Sequence, residues 1–331
     1  MENLAKACMP FLYFLESIRN PVFDFIFDTI THLGEETFFL VVAIFFFWCV
    51  NKREGYFIMI TGLVGTIVNQ VLKLLFRIPR PWDLDPNFDI IESARAEATG
   101  YSFPSGHTQN IAGTYGSICA HKPKKWKTIL CVSIIVLVSF SRMYLGVHTP
   151  LDVIVSLIIA LGLVLLLRPV FKSDENFKKY MPAVVIGSVA LSVGFLAYML
   201  VISGDSTLDY DKYESGLKNA CTLLGCTAAL IPVYILDRNL INFKTDARWY
   251  AQIIKLVIGL GVVLLIKEGL RYPLELLCGN IYIARSVRYF LIVIFAGTFW
   301  PLTFDLFSKI RIDRMERLSE WVSSKLASFK K

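Results

Sequence analysis

Long apolar runs alternate with short polar connections along most of the chain. Nine of these runs approach the roughly 20 residues that a helix needs to cross a bilayer. We predict membrane spans at 36–50, 56–76, 105–120, 128–147, 150–171, 181–203, 217–236, 250–268 and 287–307. The pattern therefore predicts an all-α protein built as a polytopic transmembrane helix bundle.

The two ends of the chain have a mixed pattern. Residues 9–33 combine charged side chains with aromatic and aliphatic ones, which favours an amphipathic helix at the membrane interface over a tenth span. In the tail, residues 308–331, apolar side chains recur every three or four residues with basic residues between them. That spacing predicts a basic amphipathic helix on the anionic cytoplasmic leaflet.

Composition supports the membrane interpretation. Of 331 residues, 55% are hydrophobic and 18% are charged, whereas soluble domains contain roughly a quarter charged residues. The net charge of +7 lies in short connections between spans, so we attribute it to membrane topology and predict no nucleic-acid partner. The seven cysteines include no close pair of the zinc-site type, and we expect them to pack within the membrane.

The charged connections also predict an orientation. Lys52, Arg53 and the basic run 121–127 fall on one face of the predicted bundle, and the acidic connection 204–211 falls on the other. An excess of Lys and Arg in short loops marks the cytoplasm. We therefore expect an integral protein of a bacterial cytoplasmic (inner) membrane, with the second face directed outside.

Three polar clusters stand at span ends on the outer face. They are Lys73 with Arg80 and Pro81, then Pro104, Ser105, Gly106 and His107, then Ser141 and Arg142 with His148 and Asp152. Three cations on a face that should be poor in cations indicate a bound anion. A phosphate, which has several acceptor oxygens, is such an anion.

His148 and Asp152 have the spacing of a catalytic pair. Four residues apart, they share one face of a helix that Thr149 can cap and Pro150 can begin. A carboxylate that accepts the Nδ1 proton fixes the tautomer and leaves Nε2 as a nucleophile. Taken alone, the pair could also be a core histidine beside an aspartate at a helix N-terminus.

The segment 104–107 has the pattern of a helix start. Unpaired amides at a helix N-terminus favour an anion. Gly106 permits close backbone approach, and the Ser105 hydroxyl can add a donor. His107 would then face the leaving oxygen as a general acid. Taken alone, the same residues could be a turn followed by a helix cap.

Together, the clusters resemble the tripartite signature of the type 2 phosphatidic acid phosphatase (PAP2) superfamily, and every fixed position of that signature is present. The resemblance implies a PAP2-like catalytic transmembrane core at 36–171, preceded by an interfacial segment at 1–35. Additional transmembrane helices would follow at 172–307, and the cytoplasmic tail would occupy 308–331.

The resemblance also implies roles for individual residues. His148 would attack phosphorus and form a phosphohistidine, with Asp152 orienting it. His107 would protonate the leaving group and then activate water. The phosphoryl oxygens would be bound by Lys73, Arg80, Ser105, Gly106, Arg142 and, in support, Ser141. The resemblance implies no metal ion or other cofactor.

A site at the outer membrane boundary fits a lipid whose tail lies in the bilayer and whose phosphate lies at that depth. Candidate substrates are undecaprenyl diphosphate, phosphatidylglycerophosphate and phosphatidic acid. We prefer a polyprenyl diphosphate, because an outward-facing phosphatase suits the recycling of a carrier lipid. Arg271 and Arg285, in the polar connection 268–288, are either headgroup contacts or ordinary interface charges. No oligomeric state follows from the sequence.

Two other function classes would use the same residues. A lipid phosphotransferase would pass the phosphoryl group from the histidine to an alcohol or a sugar. A non-catalytic lipid-phosphate transporter would use the cations for binding alone, but binding alone requires neither a nucleophile nor an acid.

Overall fold

The computed structural model describes residues 1–96, 98–121, 123–312, 314–317 and 321. Regular structure in this part of the chain is helical, with no strand. The helices are α1 (Glu2–Ala7), α2 (Met9–Ser17), α3 (Pro21–Thr31), α4 (Glu36–Phe45), α5 (Lys52–Phe76), α6 (Pro81–Leu84), α7 (Gly106–Ala120), α8 (Lys125–Tyr144), α9 (Pro150–Phe171), α10 (Asp174–Val201), α11 (Tyr210–Leu236), α12 (Trp249–Gly269), α13 (Arg271–Cys278), α14 (Ile281–Ile294) and α15 (Phe304–Lys309).

Seven helical stretches are long and apolar enough to cross a membrane. They are Lys52–Leu84, Lys125–Tyr144, Pro150–Phe171, Asp174–Gly204, Tyr210–Ile241, Trp249–Cys278 and Ile281–Lys309. Each corresponds to one of the predicted spans. The expected all-α transmembrane bundle is therefore confirmed.

The other two predicted spans form shorter helices. The run 36–50 consists of α4 and a π-helical turn, Phe46–Val50, and it meets the preceding helical segment Pro21–Gly34 at a bend of 54°. This bent pair is either a broken span or a re-entrant segment. Helix α7 has 15 residues and packs against α5, α8 and α9.

The segment 9–33 forms two helices where a single amphipathic helix was predicted. The side chain of Asn20 accepts hydrogen bonds from the amides at the start of α3, and Pro21 is the first residue of that helix. An Asx cap followed by proline starts a new helix. Both α2 and α3 pack on α8, where the ring centroids of Phe27 and Tyr144 are 4.5 Å apart.

Side-chain caps determine where two motif-bearing helices begin. The Ser105 hydroxyl accepts the Thr108 amide at the start of α7, and the Thr149 hydroxyl accepts the Asp152 amide at the start of α9. These caps satisfy N–H groups that no helical carbonyl can reach. The N-termini of α7 and α9 meet the C-terminal ends of α5 and α8 at one end of the bundle.

The second half of the chain packs on the first mainly through α10 and α11. Gly216 of α11 faces α5, where a Cβ would lie 3.0 Å from Cδ1 of Leu74. Toward the opposite end of α11, Lys52 forms an ion pair of 2.9 Å with Asp237. The amphipathic tail predicted at 308–331 falls mostly outside the described residues.

Candidate active site

Five side chains from the three motifs line one cavity of about 310 Å³. They are Lys73, Arg80, His107, Arg142 and His148, and Gly106 joins them. The three cations are buried. Buried charges at membrane depth are costly and mark functional sites, and three cations around one cavity favour an anion within it.

His148 is held from two sides inside this cavity. Its Nδ1 lies 3.3 Å from Oδ2 of Asp152, and its Nε2 lies 3.1 Å from Nη1 of Arg80. A guanidinium can only donate and an ionised carboxylate can only accept. A neutral His148 must therefore carry its proton on Nδ1 and its lone pair on Nε2, which is the tautomer that a nucleophilic Nε2 requires.

The surroundings of His148 also favour its neutral form. The residue lies in the connection between α8 and α9 and is 2% exposed. Burial, followed by the positive charges of Arg80, Lys73 and Arg142, holds the pKa of His148 well below its ordinary value. The imidazole is thus available as a base at neutral pH.

Asp152 is positioned by two further donors. Its Oδ2 accepts a hydrogen bond of 2.6 Å from the Ser102 hydroxyl and one of 2.8 Å from the Thr149 amide. Donors to the charged form stabilise a buried carboxylate. Ser102 and Thr149 therefore hold the carboxylate in the position that orients His148.

Backbone carbonyls immobilise the Arg80 guanidinium. It donates to the carbonyls of Thr99 at 2.8 Å, Gly100 at 3.2 Å and Val147 at 3.0 Å. These carbonyls belong to the segments that precede His107 and His148 in the chain. The guanidinium thereby fixes the second and third motifs relative to the first.

Lys73 has a similar role on the same segment. Its ammonium donates to the carbonyl of Tyr101 at 2.5 Å and to that of Ser102 at 3.4 Å. Ser102 is also the donor to Asp152, so the backbone that Lys73 binds is the backbone that orients the histidine–carboxylate pair.

The N-terminal segment supplies contacts for the other two motifs. Nη1 of Arg142 donates to the buried Thr31 hydroxyl at 2.6 Å. Gly34 lies against His107, where a Cβ would come within 2.9 Å of the histidine Cβ. The Gly34 carbonyl also accepts a hydrogen bond of 3.4 Å from Asn110. Glycine at this position therefore lets the bend before α4 approach α7.

Ser105 and Ser141 do not line the cavity. The Ser105 hydroxyl accepts the Thr108 amide as the cap of α7, and the Ser141 hydroxyl donates to the Val138 carbonyl at 2.7 Å. In this structure both hydroxyls bond to the backbone of their own helices. The phosphate-binding role that the resemblance implies for them stays a prediction.

Arg271 and Arg285 also lie outside the residues that line the cavity. Arg271 is exposed and pairs with Glu275 at 3.5 Å, whereas Arg285 donates to the Thr222 hydroxyl at 2.7 Å. Both guanidiniums thus have local protein partners. Of the two roles that the sequence left open, the headgroup contact stays a prediction.

The cavity contains residues that the motifs did not indicate. They are Glu35, Glu36, Thr37, Gln70, Thr99, Asn110, Ser215 and Asn219. Helical spacing could have found two of them, because Gln70 is three residues before Lys73 and Asn110 is three residues after His107. No sequence signal connects the motifs with α11, which carries Ser215 and Asn219.

The fold and the cavity define a polytopic membrane protein with a buried anion site around an oriented histidine. Residues 53–174 match the family model described as PAP2 superfamily. Residues 218–311 match the one described as PAP2 superfamily phosphatase, transmembrane extension.

Three relatives illustrate the range of matches. Sphingosine-1-phosphate phosphatase 1 of Rattus norvegicus is 26% identical over 77% of this chain and 61% of its own length. Phosphatidylglycerophosphatase B of Bacillus subtilis is 31% identical over 49% of this chain and 81% of its own length. An undecaprenyl-diphosphatase of Sulfolobus acidocaldarius is 32% identical over 34% of this chain and 53% of its own length.

These matches establish that the chain belongs to the PAP2 superfamily, whose named relatives here are phosphatases. The chain spans 41% to 61% of the length of the sphingosine-1-phosphate phosphatases that it matches in Dictyostelium discoideum, Rattus norvegicus and Mus musculus.

Proposed function

We propose that this protein is a membrane-embedded phosphatase that hydrolyses a lipid phosphate or diphosphate through a phosphohistidine, without a metal ion. The observation that carries this proposal is the geometry of His148. Its Nδ1 faces Asp152 and its Nε2 faces Arg80, inside a cavity that Lys73 and Arg142 also line. Binding alone would not require an imidazole fixed in its nucleophilic tautomer.

In the first step, Nε2 of His148 attacks phosphorus and the bond from phosphorus to the lipid oxygen breaks. His107 gives its proton to the departing oxygen. Asp152 keeps the proton on Nδ1 and stabilises the positive charge that develops on the ring. Lys73, Arg80 and Arg142 bind the phosphoryl oxygens where negative charge accumulates, and such preorganised charges lower the barrier most.

In the second step, His107, now neutral, takes a proton from water. The water oxygen attacks phosphorus, the bond between nitrogen and phosphorus breaks, and inorganic phosphate leaves. His148 returns to its starting tautomer. The two histidines therefore complete the cycle with no net change in their protons.

The substrate class that we propose is a long-chain lipid phosphate. The Rattus norvegicus match covers 77% of the 331 residues, which leaves about 76 residues unmatched at the two ends together. Residue 210, where α11 begins, is more than 76 residues from either end, so the alignment must include it. The matches to the phosphatidylglycerophosphatase and the undecaprenyl-diphosphatase cover less than half of the chain. This difference supports a substrate like the one named for the Rattus norvegicus relative, a long-chain lipid phosphate, over the polyprenyl diphosphate preferred from the sequence.

We further propose that the cavity faces the extracytoplasmic side of a bacterial cytoplasmic membrane. Lys52 and Arg53 begin α5, and Lys124 and Lys127 lie at the start of α8. The cavity adjoins the other ends of these two helices. Basic residues at short loops mark the cytoplasmic side, which supports this orientation.

The test is phosphate release by the full-length protein in detergent with EDTA, compared with His148→Ala. His121→Ala is the matched control, because it removes a histidine at the opposite end of α7. We expect release by the wild type and the control and none by His148→Ala. Labelling with a ³²P-lipid should give a base-stable, acid-labile phosphoprotein in the wild type.

Two results would contradict the proposal. Turnover by His148→Ala at the wild-type rate would exclude His148 as the nucleophile. Dephosphorylated lipid without an equal amount of inorganic phosphate would show transfer to an acceptor other than water, and the protein would then be a phosphotransferase.

A further inference from the structure

Helix α11 forms part of the wall of the catalytic cavity. Ser215 and Asn219, one helical turn apart, both line it. Gly216 lies between them in the chain, and a Cβ there would come within 3.0 Å of Cδ1 of Leu74. Leu74 is the neighbour of Lys73, so this close approach brings α11 beside the phosphate-binding cations.

Two contacts hold the start of α11 and the connection before it in that position. Arg77, which lies between Lys73 and Arg80 in the chain, pairs with Asp205 at 2.7 Å. The ammonium of Lys212 lies 4.8 Å from the ring centroid of Tyr101, whose carbonyl accepts from Lys73. The added helix is therefore fixed to the same backbone segments that carry the first and second motifs.

The polar groups of Ser215 and Asn219 are available to a ligand. Among the described residues, no hydrogen bond involves either side chain. Other polar side chains of α11 have protein partners: Thr222 accepts from Arg285, and Lys218 pairs with Glu214 at 2.9 Å. Because Ser215 and Asn219 are partly buried and line the cavity, their hydrogen-bonding groups can bond to a ligand that fills it.

We propose that Ser215 and Asn219 select the lipid by hydrogen-bonding a hydroxyl or amino substituent on the carbon next to the phosphate-bearing carbon. This inference rests on the proposed lipid phosphatase function. A site built to bond a substrate hydroxyl or amine rejects an analogue that lacks the group, because its own polar atoms then lose their partners. Polyprenyl phosphates have no such substituent, so this wall disfavours them.

The experiment measures kcat/KM of the full-length protein in mixed micelles with three lipids of similar chain length. Sphingosine 1-phosphate carries an amine at the required position, lysophosphatidic acid carries a hydroxyl, and octadecyl phosphate carries neither. We compare the wild type with Asn219→Leu and Ser215→Ala. The matched control is Lys218→Gln, which changes a residue of the same helix that does not line the cavity.

The wild type and Lys218→Gln should prefer the two substituted lipids over octadecyl phosphate by about tenfold or more. Asn219→Leu should reduce that ratio by about tenfold, and Ser215→Ala should reduce it by a smaller factor. Should Asn219→Leu fail to fold, as judged by its thermal unfolding, Ser215→Ala and Asn219→Ser decide the question.

If the wild type and both cavity variants had the same ratio of kcat/KM for the substituted lipids over octadecyl phosphate, the proposal that α11 selects the lipid would be overturned. The proposed phosphatase function would remain intact. A wild type that hydrolyses the three lipids equally would overturn it as well. Failure of the wild type to hydrolyse any lipid phosphate would instead contradict the proposed function itself.

Discussion

Nη1 of Arg80 lies 3.1 Å from Nε2 of His148, so a cation covers the lone pair that we propose as the nucleophile. The same guanidinium is bonded to three backbone carbonyls and keeps its position. A phosphate that enters offers Arg80 stronger, charge-assisted acceptors than an imidazole. If Arg80 exchanged its hydrogen bond to Nε2 of His148 for one to the phosphate, the Nε2 lone pair would become free beside phosphorus. Phosphate binding would thereby be coupled to nucleophilic attack.

Replacing Arg80 by lysine keeps the charge but should remove this coupling. Lysine provides a point charge in place of a planar fork, and it cannot bond three carbonyls and a phosphate at once. We expect kcat to fall by about 10²-fold or more, measured as phosphate release. Arg95→Lys, at the exposed pair with Glu92, should change kcat little. A wild-type kcat for Arg80→Lys would refute the role of this guanidinium.

The acid limb of the pH profile should reflect the lowered pKa of His148. Burial, and then the charges of Arg80 and the other cations, lower that pKa. The imidazole therefore stays neutral at pH values below its ordinary pKa of about 6.5. Protonation at lower pH would remove the lone pair of the proposed nucleophile, and we expect kcat/KM of the free enzyme to fall only below about pH 6.5, the ordinary pKa of the imidazole.

Arg142→Gln offers a control on this pH dependence. Removing one of the cations that lower the pKa of His148 should raise it and move the acid limb to higher pH. The substrate titrates identically in both assays, so the difference between the two profiles reports the enzyme. Coincident acid limbs would show that His148 does not set the profile.

Thr31 should affect catalysis through Arg142, although no motif includes it. Its buried hydroxyl accepts a hydrogen bond of 2.6 Å from Nη1 of Arg142. A hydrogen bond to a charged group contributes about 1.5–3 kcal/mol to stability. Thr31 acts on the reaction only by placing Arg142, so Thr31→Val should lower kcat/KM by up to roughly tenfold. Thr31→Ser retains the hydroxyl and should remain close to the wild type. Equal losses in both variants would indicate a packing role for Thr31 instead.

Gly225 should be essential for the packing of α11 on α14. A Cβ at this position would collide with the backbone oxygen of Ser286, which cannot move as a side chain can. Overpacking of this kind costs about 1–3 kcal/mol, so Gly225→Ala should lower the midpoint of thermal unfolding in detergent.

Gly194, in α10, is the matched control for that experiment. A Cβ there meets no atom within 4 Å, and alanine is the better helix former by about 1 kcal/mol. Gly194→Ala should therefore leave the midpoint unchanged or raise it. Equal shifts of the thermal unfolding midpoint in Gly225→Ala and Gly194→Ala would contradict the packing role of Gly225.

Much of the site could be predicted because it depends on residues that are close together in the sequence. The four-residue spacing of His148 and Asp152 and the Thr149 cap lie within one or two helical turns, and such features depend on neighbours in the chain. The apolar runs identified the spans for the same reason. The break between α2 and α3 was missed, although Asn20 and Pro21 carry a local signal for it.

The remaining contacts belong to the tertiary structure. Thr31 meets Arg142 across 111 residues, and Ser102 meets Asp152 across 50. Ser105 and Ser141 bond to their own helices, whereas Ser215 and Asn219 enter the cavity from a helix beyond the last motif. The sequence by itself determined the chemical groups and the helices that carry them, because both follow from residue type and short-range periodicity. Only packing decided which of those groups face one cavity, because that depends on how distant helices approach one another.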